Sequence, residues 1–486
     1  MRLIVVGHVL GILLFLLGGL MLVPLGVSLL LQESDWPALL ASSLITISVG
    51  GSLWFWTRKQ PGLMQRKESF VVVAMAWLLA SAFGALPYML AGTFTSFIDA
   101  YFEAMSGFTA TGASVLADIE AQPQGILFWR SFTQWIGGLG IIALFLGIVP
   151  LVRVGGGGAT ALYEDEASGP QADRVTPRIQ ETARAAFRTY VAFTLLGVIL
   201  LVLAGMSIFD AASHIFSAIA TGGFSPKNAS IAYYKNPAVH WIITVFMVLG
   251  GINFGLYYFF WKAKFRQLWQ NTELKIYLAM VVAGSMLVTT DLLLQARDTS
   301  LYDILTRGTF QYISLQTGTG LVIADYDQWP GFSKTLMLFA MFVGASAGST
   351  CGALKVVRLV VLAKYAHRQI YSVFHPRVIS PLKLNGRALP DHIVRETVAY
   401  FIVYEAVFLA STLAVSAMGL DFSAAITGSL ATLATVGPGF GQVGPLFNYA
   451  WIPDLAKVIF TFNMFVGRLE FWTVLILLRT AFWKEP

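Results

Sequence analysis

Charged residues are scarce in this sequence. Only 12% of its 486 residues are Asp, Glu, Lys or Arg, whereas 56% are apolar and 14% are aromatic. About a quarter of the residues in a soluble domain are charged, so this composition excludes a water-soluble globular protein. A membrane span needs roughly 20 mostly apolar residues, and the many apolar runs leave no room for a large soluble catalytic domain.

Cysteine pairs and metal-ligand patterns are also missing. Cys351 is the only cysteine, which excludes an internal disulfide framework. The six histidines are scattered, without a spacing of the H-E-x-x-H kind that binds metals. The sequence also offers no candidate nucleophile, general base or metal cluster. We therefore expect a membrane protein that is not an enzyme, and a membrane-embedded enzyme is the weaker alternative.

Ten apolar runs have the length of a membrane span. The first is too long for a signal peptide and lacks a small-residue cleavage pattern, so we expect a retained helix. The ten runs cover residues 3–31, 37–56, 69–90, 124–151, 185–204, 238–261, 274–295, 334–361, 396–418 and 457–478. The sequence therefore predicts an all-α polytopic membrane protein with ten transmembrane helices.

The basic residues predict which loops face the cytoplasm. With the N-terminus inside, 24 Lys and Arg fall on the cytoplasmic side and six on the outer side, while Arg130 and Arg468 lie inside spans. This asymmetry predicts that both termini are cytoplasmic. The net charge of +6 is explained by this topology, so we expect no nucleic-acid partner.

Four further apolar segments are too short to cross a membrane. They cover residues 99–109, 210–220, 303–316 and 421–434, and each is followed by a turn of small residues that contains glycine. Irregular backbone at membrane depth is tolerated only where protein buries it or where it lines a watery cavity. We therefore predict four re-entrant helices, with Asp99 and Asp210 as caps at the starts of the first two.

The order of span, short helix, turn and span occurs four times. The turn glycines Gly112, Gly223, Gly320 and Gly437 are 111, 97 and 117 residues apart. This period predicts four pore repeats around a pseudo-fourfold axis. The predicted divisions are two N-terminal helices in 1–60, repeats in 66–153, 183–264, 270–366 and 395–482, and cytoplasmic loops in 154–182 and 367–394.

The predicted turns suit a cation. A helix that ends at membrane depth directs the negative end of its dipole toward the pore centre, and the turn carbonyls can replace an ion's hydration shell. The candidate cation-binding residues are Thr109, Ala110, Thr111 and Gly112; Ala220, Thr221, Gly222 and Gly223; Thr317, Gly318, Thr319 and Gly320; and Thr435, Val436 and Gly437. The alternative is that these turns only allow close packing of helices.

The eighth run contains a candidate intramembrane loop. Its residues have low helix propensity and are Gly344, Ala345, Ser346, Ala347, Gly348, Ser349, Thr350, Cys351 and Gly352. A phosphate-binding loop is excluded because Lys355 does not follow a glycine as that motif requires. A small-residue packing face is the remaining alternative. Lys355 and Arg358, just beyond the loop, are expected to extend toward the cytoplasmic interface.

Two arginines are predicted inside spans. Arg468 lies near the middle of the last run, where a charge costs roughly 3 kcal/mol or more unless it faces water or a partner. We place it on the pore wall below the turns, with an ion pair to Glu405 as the alternative. Arg130 is expected to brace a turn through backbone carbonyls.

These residues carry a resemblance to a known family. The chain resembles the Trk/Ktr/HKT superfamily of cation transporters, and within it the bacterial TrkH type of subunit. The resemblance rests on the motifs at 106–113, 128–140, 221–225, 347–352, 437–439 and 466–470, and on the two extra N-terminal spans. The third turn departs from the family pattern, because it reads Gly318-Thr319-Gly320-Leu321 and stands seventeen residues after Asp303 rather than thirteen.

The resemblance implies a function and partners. It implies potassium uptake through a pore within each subunit, a homodimer in the bacterial inner membrane and a cytosolic, TrkA-type nucleotide-binding ring that gates the pore. It also implies that Gly112 favours potassium over sodium, that residues 344–352 form a gate, and that Arg468 contacts this gate and raises a barrier to cations. An alternating-access carrier is the alternative, but it would have paired broken helices.

Charged loops complete the predicted pathway. The outer side has fourteen acidic residues, Glu103 among them, and only six basic residues. This excess predicts a negative vestibule that concentrates cations. The alternative is that the outer loops are merely solvated. The cytoplasmic segments 153–188 and 364–395 are expected to dock a partner protein, and anionic membrane lipid is the alternative ligand of their basic residues.

Overall fold

The chain is predominantly helical in the computed structural model, which describes residues 2–58, 64–138, 140, 179–295, 300–375 and 381–484. The first helices are α1 (Leu3–Leu20), α2 (Leu22–Leu30), α3 (Trp36–Thr57), α4 (Arg66–Gly84), α5 (Leu86–Leu90), α6 (Phe97–Phe108) and α7 (Gln124–Gly138). The middle of the chain forms α8 (Ile179–Leu203), α9 (Ile208–Ala220), α10 (Pro237–Gly250), α11 (Tyr257–Trp261), α12 (Phe265–Gln270), α13 (Thr272–Gln295), α14 (Leu301–Gln316), α15 (Gly331–Val343) and α16 (Val356–Phe374).

The C-terminal part begins with a small hairpin. Strands β1 (Lys383–Leu384) and β2 (Arg387–Ala388) pair antiparallel, with Lys383 opposite Ala388. The helices after the hairpin are α17 (Asp391–Ala417), α18 (Phe422–Leu433), α19 (Asp454–Leu469), α20 (Phe471–Leu478) and α21 (Thr480–Lys484).

Six helices of the described ranges are long and apolar enough to span a membrane, or eight if two bent pairs each count as one span. Those pairs are Pro237–Gly250 with Phe254–Trp261, bent by 90°, and Asp454–Leu469 with Phe471–Leu478, bent by 116°. The two other predicted runs do not qualify as continuous helices. Run 334–361 is interrupted after Val343, and most of run 124–151 beyond Gly138 lies outside the described residues. The count of ten therefore stays a prediction.

The four predicted short helices are present as α6, α9, α14 and α18, within two residues of their predicted bounds. The prediction that Asp99 and Asp210 cap the first two was wrong. Ser96, Ser207 and Ser300 cap α6, α9 and α14, and each aspartate stands three residues later. Only in α18 does an aspartate, Asp421, cap the helix. The third short helix is the longest, with 16 residues, which accommodates the longer distance from Asp303 to Gly320.

The packing is that of a protein in lipid. Large apolar side chains such as Leu203, Leu294 and Phe422 are about four-fifths exposed, whereas many serines, threonines and several charged side chains are fully buried. One apolar core joins α1–α7 to the C-terminal helices, and a second joins α8–α11 to α13–α16. This inversion of the soluble pattern is expected when lipid solvates the outer surface.

Candidate cation filter and gate

Four turns after the short helices share one backbone conformation. We name them the turn segments, residues 109–112, 220–223, 317–320 and 434–437. In each segment the second and fourth residues have positive φ. These residues are Ala110 (+52°), Gly112 (+83°), Thr221 (+52°), Gly223 (+88°), Gly318 (+72°), Gly320 (+73°), Thr435 (+53°) and Gly437 (+95°). Four stretches of different sequence therefore adopt the same alternating conformation, which favours glycine at the last position.

The segments leave their helices in the same way. In each, the amide of the third residue donates to the carbonyl five positions earlier, at 2.8 to 2.9 Å. The four bonds join Thr111 to Ser106, Gly222 to Ser217, Thr319 to Ser314, and Val436 to Ala431. This common bond ends the helix and directs the chain back along it.

The four segments meet in a closed ring. A Cβ atom added to each terminal glycine would lie within 3.0 Å of a backbone oxygen of the next segment, closer than real side chains approach. The pairs are Gly112 with Gly222 O, Gly223 with Thr319 O, Gly320 with Val436 O, and Gly437 with Thr111 O. Because the fourth segment contacts the first again, the glycines surround one axis, and only glycine allows this approach.

The predicted gate lies against this ring. We name residues 344–352 the gate loop; it separates α15 from α16, begins at Gly344 with φ +74°, and is mostly buried. Thr350 Oγ1 donates to the Ile219 carbonyl at 3.0 Å, and the Gly352 amide donates to Thr435 Oγ1 at 3.0 Å. On its other side the Ala347 amide donates to the Glu273 carboxylate at 2.6 Å. The loop thus joins the end of α9 and the fourth turn segment to α13.

Most of the chain matches one family. Residues 36–484 match the sequence model of TrkH, described as a cation transport protein. This chain belongs to the TrkH family. It is 35% identical to the Trk system potassium uptake protein TrkH of Salmonella typhimurium, over 98% of this chain and 99% of that protein. It is 33% identical to the Trk system potassium uptake protein TrkG of Escherichia coli (strain K12), over 99% of both.

Solved structures agree with this family. The crystal structure of the potassium transporter TrkH from Vibrio parahaemolyticus superimposes with a TM-score of 0.88, at 33% identity and over the full length of both chains. The TrkH-family chain is therefore a multi-pass membrane protein. The prediction that it is a transporter and not an enzyme is confirmed by the family to which it belongs.

Arg468 of this TrkH-family chain lies beside the gate loop. Its guanidinium donates to the Thr350 carbonyl, to Gly137 O at 2.5 Å and to Gly138 O at 3.1 Å. These acceptors belong to the gate loop and to the end of α7. The described contacts therefore favour the predicted place beside the loop over an ion pair with Glu405.

The expectation that Lys355 and Arg358 extend toward the cytoplasmic interface was wrong. Lys355 is buried and its ammonium turns back to the Cys351 carbonyl in the gate loop. Arg358 is also buried, and its guanidinium pairs with Glu470 at 2.5 Å and stacks 3.7 Å from the Tyr400 ring centre. Both cations find partners inside the protein, so neither needs water.

A second layer of polar side chains supports the ring from behind. Arg130 donates to the Ser225 carbonyl, two residues beyond the second turn segment, at 2.9 Å, so the predicted contact with a backbone carbonyl is present. Its guanidinium lies 3.7 Å from the Phe224 ring centre. Its Nε pairs with Glu103 at 2.6 Å. Glu103 is completely buried, so counting it in an outer acidic vestibule was wrong.

Sequence reasoning missed two other supports. The Gln134 amide donates to Gly222 O at 2.6 Å and accepts from the Phe224 amide at 3.1 Å. The Tyr449 hydroxyl donates to Gly437 O at 2.7 Å, and burial raises the pKa of this phenol well above its usual value, so it remains a donor. Gln134 could have been found as a polar residue within an apolar run, whereas no local signal marks Tyr449.

Proposed function

We propose that this chain carries potassium into a bacterial cell through a pore enclosed within a single subunit. The ring of four turn segments is the observation that carries this proposal. The relatives that match nearly the whole chain are described as Trk system potassium uptake proteins, which supports the same ion. Potassium is the transported ion, and the function needs no organic cofactor on this chain.

The proposed filter uses backbone oxygens in place of water. In an extended strand, successive residues face opposite sides. Positive φ at every second residue breaks this alternation, so several carbonyls of one segment can face the same axis. Four segments that approach closely would surround a dehydrated cation with carbonyl dipoles, as in known potassium filters. The filter residues are the fifteen predicted from the sequence, from Thr109 to Gly437.

The gate loop and Arg468 form the proposed barrier below the filter. The loop contacts the second segment at Thr221 and the fourth at Thr435, and Arg468 adds a positive charge beside Thr350. A cation leaving the filter would meet both a steric obstruction and a repelling charge. Movement of the loop, with its arginine contact broken, would open the pathway.

The proposed topology places both termini in the cytoplasm of the bacterial inner membrane. The Arg2 guanidinium pairs with Glu68 at 3.1 Å, and Lys67 donates to the Phe482 carbonyl at 3.5 Å. Both ends of the chain thus reach the same turn of α4, which supports a common side.

The predicted homodimer and the TrkA-type nucleotide-binding ring belong to this proposal, as does the predicted contact with membrane lipid. Most of segment 153–188, predicted to dock a partner protein, lies outside the described residues, which resume at Ile179.

The test is ion uptake by the purified full chain in proteoliposomes. We expect an outward-directed potassium gradient to drive accumulation of radioactive rubidium, with external potassium competing far better than sodium. An imposed proton gradient, added in a second arm, separates passive from proton-coupled flux. Liposomes that contain correctly folded protein but take up no rubidium, with or without the proton gradient, would overturn the proposal.

A further inference from the structure

The four turn segments form two alternating pairs. In the first and third segments the left-handed second position is occupied by Ala110 and Gly318, and threonines stand on either side of it. In the second and fourth segments the left-handed residue is itself a threonine, Thr221 at φ +52° and Thr435 at φ +53°. A β-branched residue with positive φ is strained, so these two positions need support from their surroundings.

The hydroxyls of the first and third segments are satisfied within the segment. Thr109 Oγ1 lies 2.7 Å from Thr111 Oγ1, and Thr317 Oγ1 lies 2.7 Å from Thr319 Oγ1. Each pair is a hydrogen bond between two residues of one turn. These hydroxyl pairs therefore require nothing from the gate loop.

The hydroxyls of the two left-handed threonines contact the gate loop, and that of Thr221 also donates to the Ala220 carbonyl of its own segment at 2.7 Å. Thr221 Oγ1 lies 3.1 Å from Thr350 Oγ1, and Thr435 Oγ1 accepts from the Gly352 amide at 3.0 Å. Thr350 and Gly352 flank Cys351 on the loop. A stretch of three residues thus holds the strained residue of two opposite segments at once.

The contact is closely fitted. A Cβ atom added to Gly352 would lie within 3.0 Å of Thr435 Oγ1 and of the Ala434 carbonyl oxygen. At the equivalent position of the third segment, a Cβ atom on Gly318 would lie 2.9 Å from the Cys351 sulfur. The loop therefore cannot shift toward the ring, and withdrawing it breaks both threonine bonds together.

We propose that Thr221 and Thr435 are positioning residues that couple the gate loop to the filter. With the loop in place, they are held in the left-handed conformation that shapes the second and fourth segments. When the loop withdraws, both hydroxyls lose their partners on the loop, Thr221 keeps only the Ala220 carbonyl, and the two segments relax. This inference rests on the proposed function. Because coupling between two sites is reciprocal, a cation bound in the filter must in turn stabilise the seated loop.

The chain carries its own reporter of the loop position. Cys351 is the only cysteine in the sequence, and it is 2% exposed within the seated loop. A small methanethiosulfonate reagent reacts with it only after the loop moves. The experiment measures the modification rate in the full chain in proteoliposomes, in potassium and in N-methylglucamine, a cation too large for the filter.

In the unaltered chain we expect modification to be about fivefold or more slower in potassium, in the usual range of coupling between two sites. Thr221→Val and Thr435→Val keep the β-branched shape but remove the hydroxyl. We expect both to speed modification in potassium by about tenfold, the effect of losing one hydrogen bond, and to abolish the difference between the two cations. Thr461→Val is the matched control, since its buried hydroxyl donates to the Lys457 carbonyl within α19 at 2.8 Å, and its rate should match the unaltered chain.

A double-mutant cycle tests the direct contact. Thr350→Val combined with Thr221→Val should be no faster than Thr350→Val alone, because Thr350→Val already removes the bond between the two hydroxyls together with the bonds of Thr350 to the Ile219 and Gly250 carbonyls. Additive rates, unchanged rates in both single variants, or an equal acceleration in Thr461→Val would each overturn the coupling. Rubidium uptake by the same liposomes separates this failure from that of the proposed function, because the coupling can be wrong in a chain that still transports.

Discussion

Arg130 and Glu103 form a buried ion pair at 2.6 Å behind the second turn segment, with neither side chain more than 3% exposed. The pair joins α7 to α6, and Glu103 also accepts from the Val115 amide at 2.9 Å while Arg130 donates to Ser225 O. Two separate loops on the outer side of the ring are thus fixed to one charge pair. Because these contacts fix the backbone just beyond the first and second turn segments, we infer that the pair positions the proposed filter.

Breaking this pair should destabilise the protein strongly. Glu103→Gln leaves the Arg130 charge buried without a counter-charge, a change that typically costs about 3–5 kcal/mol. We expect a clear fall in the thermal unfolding midpoint of the purified chain in detergent. The control is Asp391→Asn, which breaks an exposed pair with Arg368 at 3.4 Å and should shift the midpoint little. Equal shifts in the two variants would contradict the positioning role.

The close approach of a neighbouring backbone oxygen, rather than the backbone angle φ, should decide how a substitution at a filter glycine affects ion selectivity. Gly437 and Gly419 both have φ +95°, but an added Cβ would meet Thr111 O at Gly437 and nothing within 4 Å at Gly419. Serine at either position introduces the same backbone strain. We therefore expect Gly437→Ser to lower the preference for potassium over sodium in rubidium-uptake competition by about tenfold, which corresponds to only about 1.4 kcal/mol.

Gly419→Ser provides the control for that measurement. It should retain both rubidium uptake and the preference for potassium, since the turn at Gly419 has room for the side chain. Loss of selectivity in both variants would indicate that backbone strain, and not the ring of carbonyls, is responsible. An unchanged selectivity in Gly437→Ser would argue against the filter itself.

The short helices could be predicted from the sequence because their limits are set by local features. Each is an apolar stretch too short to cross a membrane, bounded by a polar residue and a glycine turn, and the predicted bounds fall within two residues of those observed. The positive φ of the last glycine in each turn could be anticipated for the same reason. The left-handed conformation of Thr221 and Thr435 could not be anticipated, because β-branched residues avoid this conformation unless tertiary contacts impose it.

The supports behind the ring depend on contacts distant in sequence. Glu103 and Arg130 are separated by 27 residues, and from composition alone Glu103 resembled the other acidic residues of the outer side. Lys355 has the spacing of an interfacial lysine, yet the left-handed backbone at φ +76° directs it back to the gate loop. Such pairings follow from how repeats pack together, and a hydropathy pattern contains no information about them.

Removing the charge of Arg468 should speed cation entry. A unit charge 4 Å from a passing cation costs about 4 kcal/mol at an effective dielectric constant near 20, so removing even part of this barrier is a large effect. We expect Arg468→Ala to raise the initial rate of rubidium uptake by about tenfold or more, and Arg468→Lys to lie between. Arg479→Ala, which removes an exposed positive charge from the same end of the chain, should leave uptake unchanged. A slower or unaltered rate in Arg468→Ala would reject the barrier role.

The ion pair between Arg358 and Glu470 should link the helix after the gate loop to the bend in the last span. Glu470 occupies the break between α19 and α20 with φ +61°, and its carboxylate meets Arg358 of α16 at 2.5 Å.

Glu470→Gln or Arg358→Met alone leaves one buried charge unpaired, so each should lower the thermal midpoint in detergent. Arg358→Met with Glu470→Met removes both charges, and apolar replacement of a whole buried pair is often neutral or stabilising. We therefore expect the double variant to recover most of the stability lost by either single change. A fall in the midpoint of the double variant that equals the sum of the falls in the two single variants would show that the two side chains act independently.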